Sequence, residues 1–216
     1  NFGNSGTLAR LLIGILSTTP NIELKIRGDQ SLNKRNMKKL IELMSEFGAE
    51  FFPKNKFNFP LRFISTEVPI GIKYNAGISA QLKSAVMLAG LNSYGATEII
   101  EEKKSRDHTE NILIKNSQVI KIDKKNKKII RIFGKKHLNP TNFNIPGDPS
   151  SAAFFTALTL LKSNSKLEIK NVGLNPTRIG FYILLKKSGA KITFVNKRKV
   201  NNEIIGDIKI KSSKLN

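Results

Sequence analysis

The sequence predicts an α/β fold (equally well described as α+β) with mixed sheets, built from a repeated module. Stretches with apolar residues three and four apart, typical of helices, alternate with short period-two stretches that are typical of strands. The order helix, strand, polar loop, helix and further strands recurs at intervals of roughly 70 residues. Because one such module cannot cover its own helices, we expect the modules to pack around a shared core.

The first helix, over residues 5–17, follows a turn rich in Gly, Ser and Thr. The segment GNSGTLAR (residues 3–10) places small residues where a helix leaves its first N–H groups unpaired, and those groups attract anions. Asn4 or Ser5 suits the N-cap, and Gly6 lets a ligand approach the backbone. Arg10 would add a fixed charge one turn later. An ordinary capped helix is the alternative interpretation, and these residues alone leave both open.

The remaining elements follow in order. In the first module we expect a strand at 22–26, a helix that begins near Arg35 and ends at Gly48, and short strands at 50–52 and 60–64. The second module predicts a strand at 70–74, a helix at 79–91, a strand at 96–101, a short helix to 115 and a lysine-tipped hairpin over 119–133. The third predicts a helix from Asp148 to 162, a strand at 166–170, a helix ending at Gly189, and strands at 191–195 and 204–211.

Three helix starts carry small hydroxyl residues, and an arginine follows the first strand of each module. The hydroxyl residues are Ser5 and Thr7, Ser79, and Ser150 and Ser151; the arginines are Arg35, Arg106 and Arg178. Backbone N–H groups, hydroxyls and guanidinium groups together predict a site for small molecules with several negative charges.

Two polar residues allow a functional and a structural interpretation. Gln81 lies in the first turn of its helix, where its amide could contact a ligand or simply face solvent behind the Ser79 cap. His108 lies between Asp107 and Glu110, which permits acid–base chemistry, although a half-exposed structural histidine is the favoured interpretation.

Composition narrows the function classes. The chain has 216 residues, no Cys and two His, which excludes disulfides and makes a histidine metal site unfavourable, and we expect no metal and no cofactor. No apolar run is long enough to cross a bilayer, and we expect a cytoplasmic protein without a membrane partner. The net charge of +21 raises nucleic-acid binding as an alternative. The lysines are widely spread, however, and no aromatic platform accompanies them, so we expect no nucleic-acid partner.

Six ordered segments resemble the EPSP synthase (3-phosphoshikimate 1-carboxyvinyltransferase) family, most closely its class II branch. Besides GNSGTLAR they are GDQSLNKRNM (28–37), SAQLKSA with LAGL (79–91), SRDHTE (105–110), GDPSSA (147–152) and NPTR (175–178). The resemblance implies transfer of the enolpyruvyl (1-carboxyvinyl) group of phosphoenolpyruvate to the 5-hydroxyl of shikimate 3-phosphate, on the pathway to chorismate and aromatic amino acids. It implies a fold of two lobes, each an inside-out α/β barrel of βαβαββ units, with residues 1–146 in the first lobe and 147–216 opening the second.

The resemblance also implies the site residues. Shikimate 3-phosphate would contact Ser79, Ala80, Gln81, Ser105 and Arg106, and phosphoenolpyruvate would contact Asn4, Gly6, Arg35 and Gln81.

No catalytic residue of the family falls within the chain, so we expect a fragment that is inactive alone, from a protein that is monomeric at full length. A related UDP-N-acetylglucosamine enolpyruvyltransferase is the alternative within this fold. That enzyme's characteristic Cys loop has no counterpart in a chain without Cys.

Overall fold

The computed structural model describes residues 1–123 and 128–215. Its helices and strands, in chain order, are α1 (Gly6–Ser17), β1 (Glu23–Ile26), α2 (Gln30–Asn33), α3 (Lys38–Glu46), β2 (Glu50–Phe52), β3 (Leu61–Ile64), β4 (Lys73–Ala76), α4 (Ala80–Gly90), β5 (Ala96–Glu101), α5 (His108–Leu113), β6 (Ile120–Asp123), β7 (Lys128–Phe133), α6 (Pro149–Leu161), β8 (Lys166–Gly173), α7 (Gly180–Lys187), β9 (Lys191–Val200) and β10 (Glu203–Lys211). The chain divides into two compact units, one with residues 1–105 and 113–139 and the other with 106–112 and 140–216.

The predicted repeat is visible as one strand order that occurs three times. The sheets read β1-β3-β2, β5-β7-β6 with β4 added at its edge, and β8-β10-β9, so the third strand always lies between the first and the second. The pairings within each of these triplets are antiparallel. At least one helix separates the first strand from the second each time. The mixed α/β class and the repeated module are therefore confirmed.

A second recurring feature places the helix starts at the ends of strands. β4 runs parallel to β5 and leads into α4, so that α4 begins beyond the carboxyl ends of both strands. Before α1, the Phe2 N–H donates to the Arg27 carbonyl just beyond β1 at 2.8 Å. Before α6, Gly147 forms a parallel bridge with Val172 of β8. The carboxyl ends of strands are where ligands bind in open α/β sheets.

In the first unit, α1 and α4 pack in parallel and unusually close. A Cβ added to Gly14 of α1 would lie 2.6 Å from the carbonyl oxygen of Ala85 in α4, so only glycine permits this approach. α4 is enclosed, with Val86, Met87 and Ala89 fully buried. The same register brings Arg10 of α1 level with Gln81 of α4, four residues earlier on both helices.

The second unit has a smaller core around the β8-β10-β9 sheet. Val172, Tyr182 and Ile208 are buried there, and the Tyr182 hydroxyl donates to the Pro149 carbonyl at 2.6 Å. Unlike α4, which is enclosed, α6 has an exposed apolar face, on which Phe154 and Leu161 are 79% and 83% exposed.

Several predicted bounds differ from the structure. The strand predicted at 70–74 lies at Lys73–Ala76, since Ile70 forms only an isolated bridge with Tyr94 and regular pairing with β5 begins at Lys73. α2 was not predicted; Asp29 caps it by accepting the Leu32 N–H at 2.7 Å. The predicted tip of the lysine hairpin, residues 124–127, lies outside the described residues, and β6 and β7 pair antiparallel on either side of it.

None of the helices in the described part of the chain is long and apolar enough to cross a membrane.

Candidate functional site

Two helix N-termini lie side by side in the first unit. Ser5 caps α1 by accepting the Leu8 N–H at 3.1 Å, and Ser79 caps α4 by accepting the Leu82 N–H at 3.4 Å. Of the two N-caps predicted for α1, Asn4 and Ser5, the structure selects Ser5. Because both helices run in the same direction, the positive ends of their dipoles point to the same region. This arrangement attracts anions.

Gln81 joins the two helices through both ends of its amide. Its Oε1 accepts a hydrogen bond from Arg10 Nη1 at 2.9 Å, and its Nε2 donates to Thr7 Oγ1 at 2.7 Å. The side chain is therefore anchored to α1 and does not simply face solvent, which was the structural alternative. Local sequence patterns do not predict this connection, because Gln81 lies 71 positions from Arg10 and 74 positions from Thr7 along the chain.

Asn4, Gly6 and Arg35 form the adjoining part of the site. Arg35, between α2 and α3, donates from Nη2 to Asn4 Oδ1 at 2.9 Å. A Cβ on Gly6 would lie 2.9 Å from Arg10 Nη1 and 3.0 Å from Arg35 Nη1, so Gly6 is flanked by two guanidinium groups. Burial, and then the nearby charge of Arg35, lower the pKa of Arg10. A negatively charged ligand would relieve the repulsion between these guanidinium groups.

A cleft of about 320 Å³ opens beside this cluster. One side of the cleft is lined by Arg10, Ser79 and Leu82. The other side is lined by the chain from Asn36 to the first turn of α3, including Lys38 and Lys39. The Asn36 side chain accepts the Lys38 N–H at 2.8 Å and so fastens the start of α3. The cleft is thus lined by cationic side chains and large enough for a small anionic molecule.

Ser79 and Ala80 lie at the start of α4 and are both partly buried. Ser105 is held by hydrogen bonds to the buried carboxylate of Glu101. The Ser105 N–H and hydroxyl both donate to Glu101 Oε1, at 3.0 and 2.8 Å. Glu101 also pairs with Lys83 of α4 at 2.7 Å and with Lys128 at 2.8 Å, and the Lys83 side chain has no exposed surface. Burial alone would raise the pKa of Glu101, but hydrogen bonds from Lys128, Lys83 and Ser105 outweigh it and lower that pKa to about 2.

Glu101 therefore ties Ser105 to the helix that carries Gln81. Residue type does not predict the Lys83–Glu101 ion pair either, since a lysine in a helix ordinarily indicates a solvated face.

Arg106 belongs to the second unit and its side chain is exposed. Next to it, His108 Nδ1 lies 2.8 Å from Glu203 Oε1, and the Asn111 and Asn175 amides donate to the same carboxylate at 3.0 Å each. Burial would raise the pKa of Glu203, yet the hydrogen bonds from His108, Asn111 and Asn175, together with the electrostatic attraction of His108, lower that pKa to about 2. His108 is thus part of a polar network that holds α5 against the start of β10, as its structural interpretation expects.

Arg178, the arginine of the third module, precedes α7 in the chain, and its side chain reaches the start of α6. Its Nη2 contacts Asp148 Oδ1 at 2.5 Å and Ser150 Oγ at 2.8 Å, while Asp148 caps the helix. This guanidinium contacts a carboxylate at the helix start, whereas that of Arg35 contacts the neutral Asn4 amide.

Within residues 1–123 and 128–215, no group of three or more His, Asp or Glu side chains is placed to hold a metal ion.

The sequence matches the family model described as EPSP synthase (3-phosphoshikimate 1-carboxyvinyltransferase) over residues 1–216. It is 42% identical over its whole length to the 3-phosphoshikimate 1-carboxyvinyltransferase of Novosphingobium aromaticivorans, covering 49% of that protein. It is 43% identical, again over its whole length, to the protein of the same name from Petrotoga mobilis, covering 50% of it. The chain thus spans about half the length of the curated relatives it matches.

Solved structures agree. The EPSP synthase from Acinetobacter baumannii superposes with a TM-score of 0.79 at 37% identity, over 98% of this chain and 47% of that one. The enolpyruvyl transferase NikO from Streptomyces tendae superposes with a TM-score of 0.66 at 13% identity, over 96% of this chain and 46% of its own, which shows the shared fold alone.

Proposed function

Since this chain belongs to the EPSP synthase family, we propose that the complete protein containing it transfers the enolpyruvyl group of phosphoenolpyruvate to the 5-hydroxyl of shikimate 3-phosphate. In this reaction the 5-oxygen forms a new C–O bond to the enol carbon, and the bond from that carbon to the phosphate oxygen breaks. Inorganic phosphate leaves, and in the overall reaction it takes up the proton of the hydroxyl. We assign this activity to the complete protein because the chain spans about half of its relatives.

The observation that carries the proposal is the cationic cluster at the starts of α1 and α4. Phosphoenolpyruvate and shikimate 3-phosphate each carry a phosphate and a carboxylate, so both need hydrogen-bond donors and positive charge. Arg35 and the Gln81 amide supply donors in one place, beside two helix N-termini, and the guanidinium groups of Arg10 and Arg35 supply positive charge.

We assign the phosphoenolpyruvate side to Asn4, Gly6, Arg35 and Gln81. The Arg35 guanidinium presents several N–H groups in one plane, which matches a carboxylate or phosphate. Its contact with Asn4 Oδ1 uses only Nη2. The absence of a side chain at Gly6 leaves room beside both guanidinium groups.

We assign the shikimate 3-phosphate side to Ser79, Ala80, Gln81, Ser105 and Arg106. Ser79 caps α4 with its oxygen, which leaves the hydroxyl hydrogen for a ligand. The Ser105 hydroxyl donates to Glu101, so its hydrogen would have to turn from that carboxylate to a phosphate oxygen when the substrate binds.

The proposal extends to the organisation of the complete protein. Residues 1–146 would belong to one lobe and 147–216 to the other, and further modules would cover the exposed apolar face of α6. The complete protein would act as a monomer in the cytoplasm, without metal or cofactor.

A phosphate-release assay on the complete protein tests the function. Phosphate should appear only when phosphoenolpyruvate and shikimate 3-phosphate are both present. Release with UDP-N-acetylglucosamine in place of shikimate 3-phosphate would favour the related enzyme instead. No release with either acceptor would overturn the proposal.

Calorimetry on Arg35→Ala tests the assigned roles. The variant should weaken phosphoenolpyruvate binding by about tenfold or more, since it removes charge-assisted hydrogen bonds, and should weaken shikimate 3-phosphate binding far less. Arg62→Ala is the matched control, because Arg62 lies on β3 and pairs with Glu23 at the surface. Equal losses for both substrates would contradict the assignment of Arg35.

A further inference from the structure

We propose that Arg10 is a positioning residue, which sets the orientation of the Gln81 amide so that an N–H group faces the anionic substrates. This inference rests on the proposed function. It concerns a residue that makes no assigned contact with either substrate and acts through its neighbour.

The Gln81 amide has one accepting oxygen and two N–H donors. Oε1 accepts from Arg10 Nη1 at 2.9 Å, and one N–H is used on Thr7 Oγ1 at 2.7 Å. One N–H donor therefore remains for a ligand. A phosphate or carboxylate oxygen can only accept, so this remaining donor is the useful group.

Turning the amide over would exchange its oxygen and nitrogen. The Gln81 NH₂ group would then face the Arg10 guanidinium, and two groups that only donate cannot form a hydrogen bond. Thr7 does not impose this choice, since its hydroxyl can donate as well as accept. Arg10 therefore determines the orientation, and Thr7 adapts to it.

Arg10 is itself held firmly enough for this role. The same Nη1 donates to the Gly6 carbonyl one turn earlier in α1 at 3.1 Å, and the side chain is partly buried. The same Nη1 atom lies close to the Gly6 backbone, since a Cβ added to Gly6 would be only 2.9 Å from it.

The orientation also affects Thr7. Because Thr7 Oγ1 accepts from Gln81, its hydroxyl hydrogen is available to donate elsewhere. Arg10 thus makes two neighbouring side chains present donors in place of acceptors. Without Arg10, the amide could turn and present its oxygen to an anion, which repels it.

The test uses Arg10→Met in the complete protein, since Met is of similar length and has no donor. We expect kcat/KM to fall by about tenfold to a hundredfold, the range for loss of a charge-assisted hydrogen bond. Arg10→Lys, which retains a positively charged donor group, should recover part of the loss. Arg62→Met, at an exposed ion pair on β3, should leave kcat/KM unchanged.

A double-mutant cycle separates positioning from a direct role. If Arg10 acts through Gln81, then Arg10→Met should cost little further activity in a Gln81→Ala background. Fully additive losses would overturn the inference.

A neutron crystal structure of unliganded Arg10→Met, which distinguishes the amide oxygen of Gln81 from its NH₂ group, tests the inference independently of activity. We expect the Gln81 amide to leave its wild-type orientation; an amide that stays in place would overturn the inference. Complete absence of enolpyruvyl transfer in the wild type would instead overturn the proposed function, so the two failures are distinguishable.

Discussion

Replacing Glu101 with glutamine should destabilise the complete protein by about 3 to 5 kcal/mol, because the change removes the carboxylate that faces a buried ammonium group. The side chains of Glu101 and Lys83 are 1% and 0% exposed, and their charged atoms lie 2.7 Å apart. Glutamine keeps the size of the side chain and one accepting oxygen, so the loss reflects charge and not a cavity.

The pKa of Glu101 gives a second measure of the same interaction. That pKa falls from 4.5 to about 2 in the folded protein, because hydrogen bonds from Lys128, Lys83 and Ser105 outweigh the opposing effect of burial. At about 1.4 kcal/mol for each pKa unit, the difference corresponds to about 3 kcal/mol. Since the pKa is lower in the folded state, this stabilisation is present above pH 4.5 and is lost as the pH falls towards 2.

Urea unfolding followed by circular dichroism measures the loss, and hydrogen exchange at the Ser105 amide reports its location. The control is Glu98→Gln, the same substitution on the same strand. Glu98 is 26% exposed and pairs with Lys73 and Arg131, so its loss should cost no more than about 1 kcal/mol. Equal destabilisation by the two variants, or unchanged exchange at Ser105, would refute the reasoning.

Three further predictions concern other parts of the molecule. Gly6→Ala should raise the KM for phosphoenolpyruvate with little change in melting temperature, because the new methyl group displaces the guanidinium groups of Arg10 and Arg35 but no backbone atom; an unchanged KM would contradict this. Glu203→Gln should reduce the dependence of the unfolding free energy on pH between pH 4.5 and about 2, because the wild-type carboxylate, whose pKa is lowered in the folded state, loses its stabilising charge in that range. Urea titrations at several pH values measure this dependence, and a dependence like that of the wild type would contradict the prediction. Leu158→Ser on the outer face of α6 should cost about 2 to 5 kcal/mol in the complete protein if further modules cover that face. Val68→Ser, at a loop residue of similar exposure, should cost much less, and equal small effects would contradict the coverage of α6.

The capped start of α1, where the candidate site lies, could be predicted because its signals are local. Ser5 is an N-cap by residue type, and Gly, Ser and Thr before an apolar periodic run indicate a helix start with accessible N–H groups. The repeated module could be predicted for a similar reason, since strand and helix periodicities are properties of short stretches. The common strand order of the three sheets then follows from one module used repeatedly.

The contacts that organise the site could not be predicted, because they join distant parts of the chain. The position of Gln81 in a first turn gives no information on whether its amide meets solvent or another helix. Its bonds to Arg10 and Thr7 depend on the close parallel packing of α1 and α4, which Gly14 permits. Lys83 likewise has the residue type of a surface position, and only the packing of α4 against the sheet buries it beside Glu101.

Strand ends were misplaced where backbone geometry overrides the residue pattern. Residues 70–74 look like a strand, but Ile70 forms only an isolated bridge with Tyr94, and regular pairing with β5 begins at Lys73. β9 extends five residues beyond its predicted end at Val195, because β10 continues to pair with it through an irregularity near Gly206.

A crystal structure of the complete protein with shikimate 3-phosphate and phosphoenolpyruvate tests the central claim most directly. We predict that Gln81 Nε2 and the Arg35 guanidinium each lie about 3 Å from an anionic oxygen of a substrate, while Gln81 Oε1 still accepts from Arg10. Substrate oxygens bound elsewhere, with Arg35 and Gln81 untouched, would contradict it.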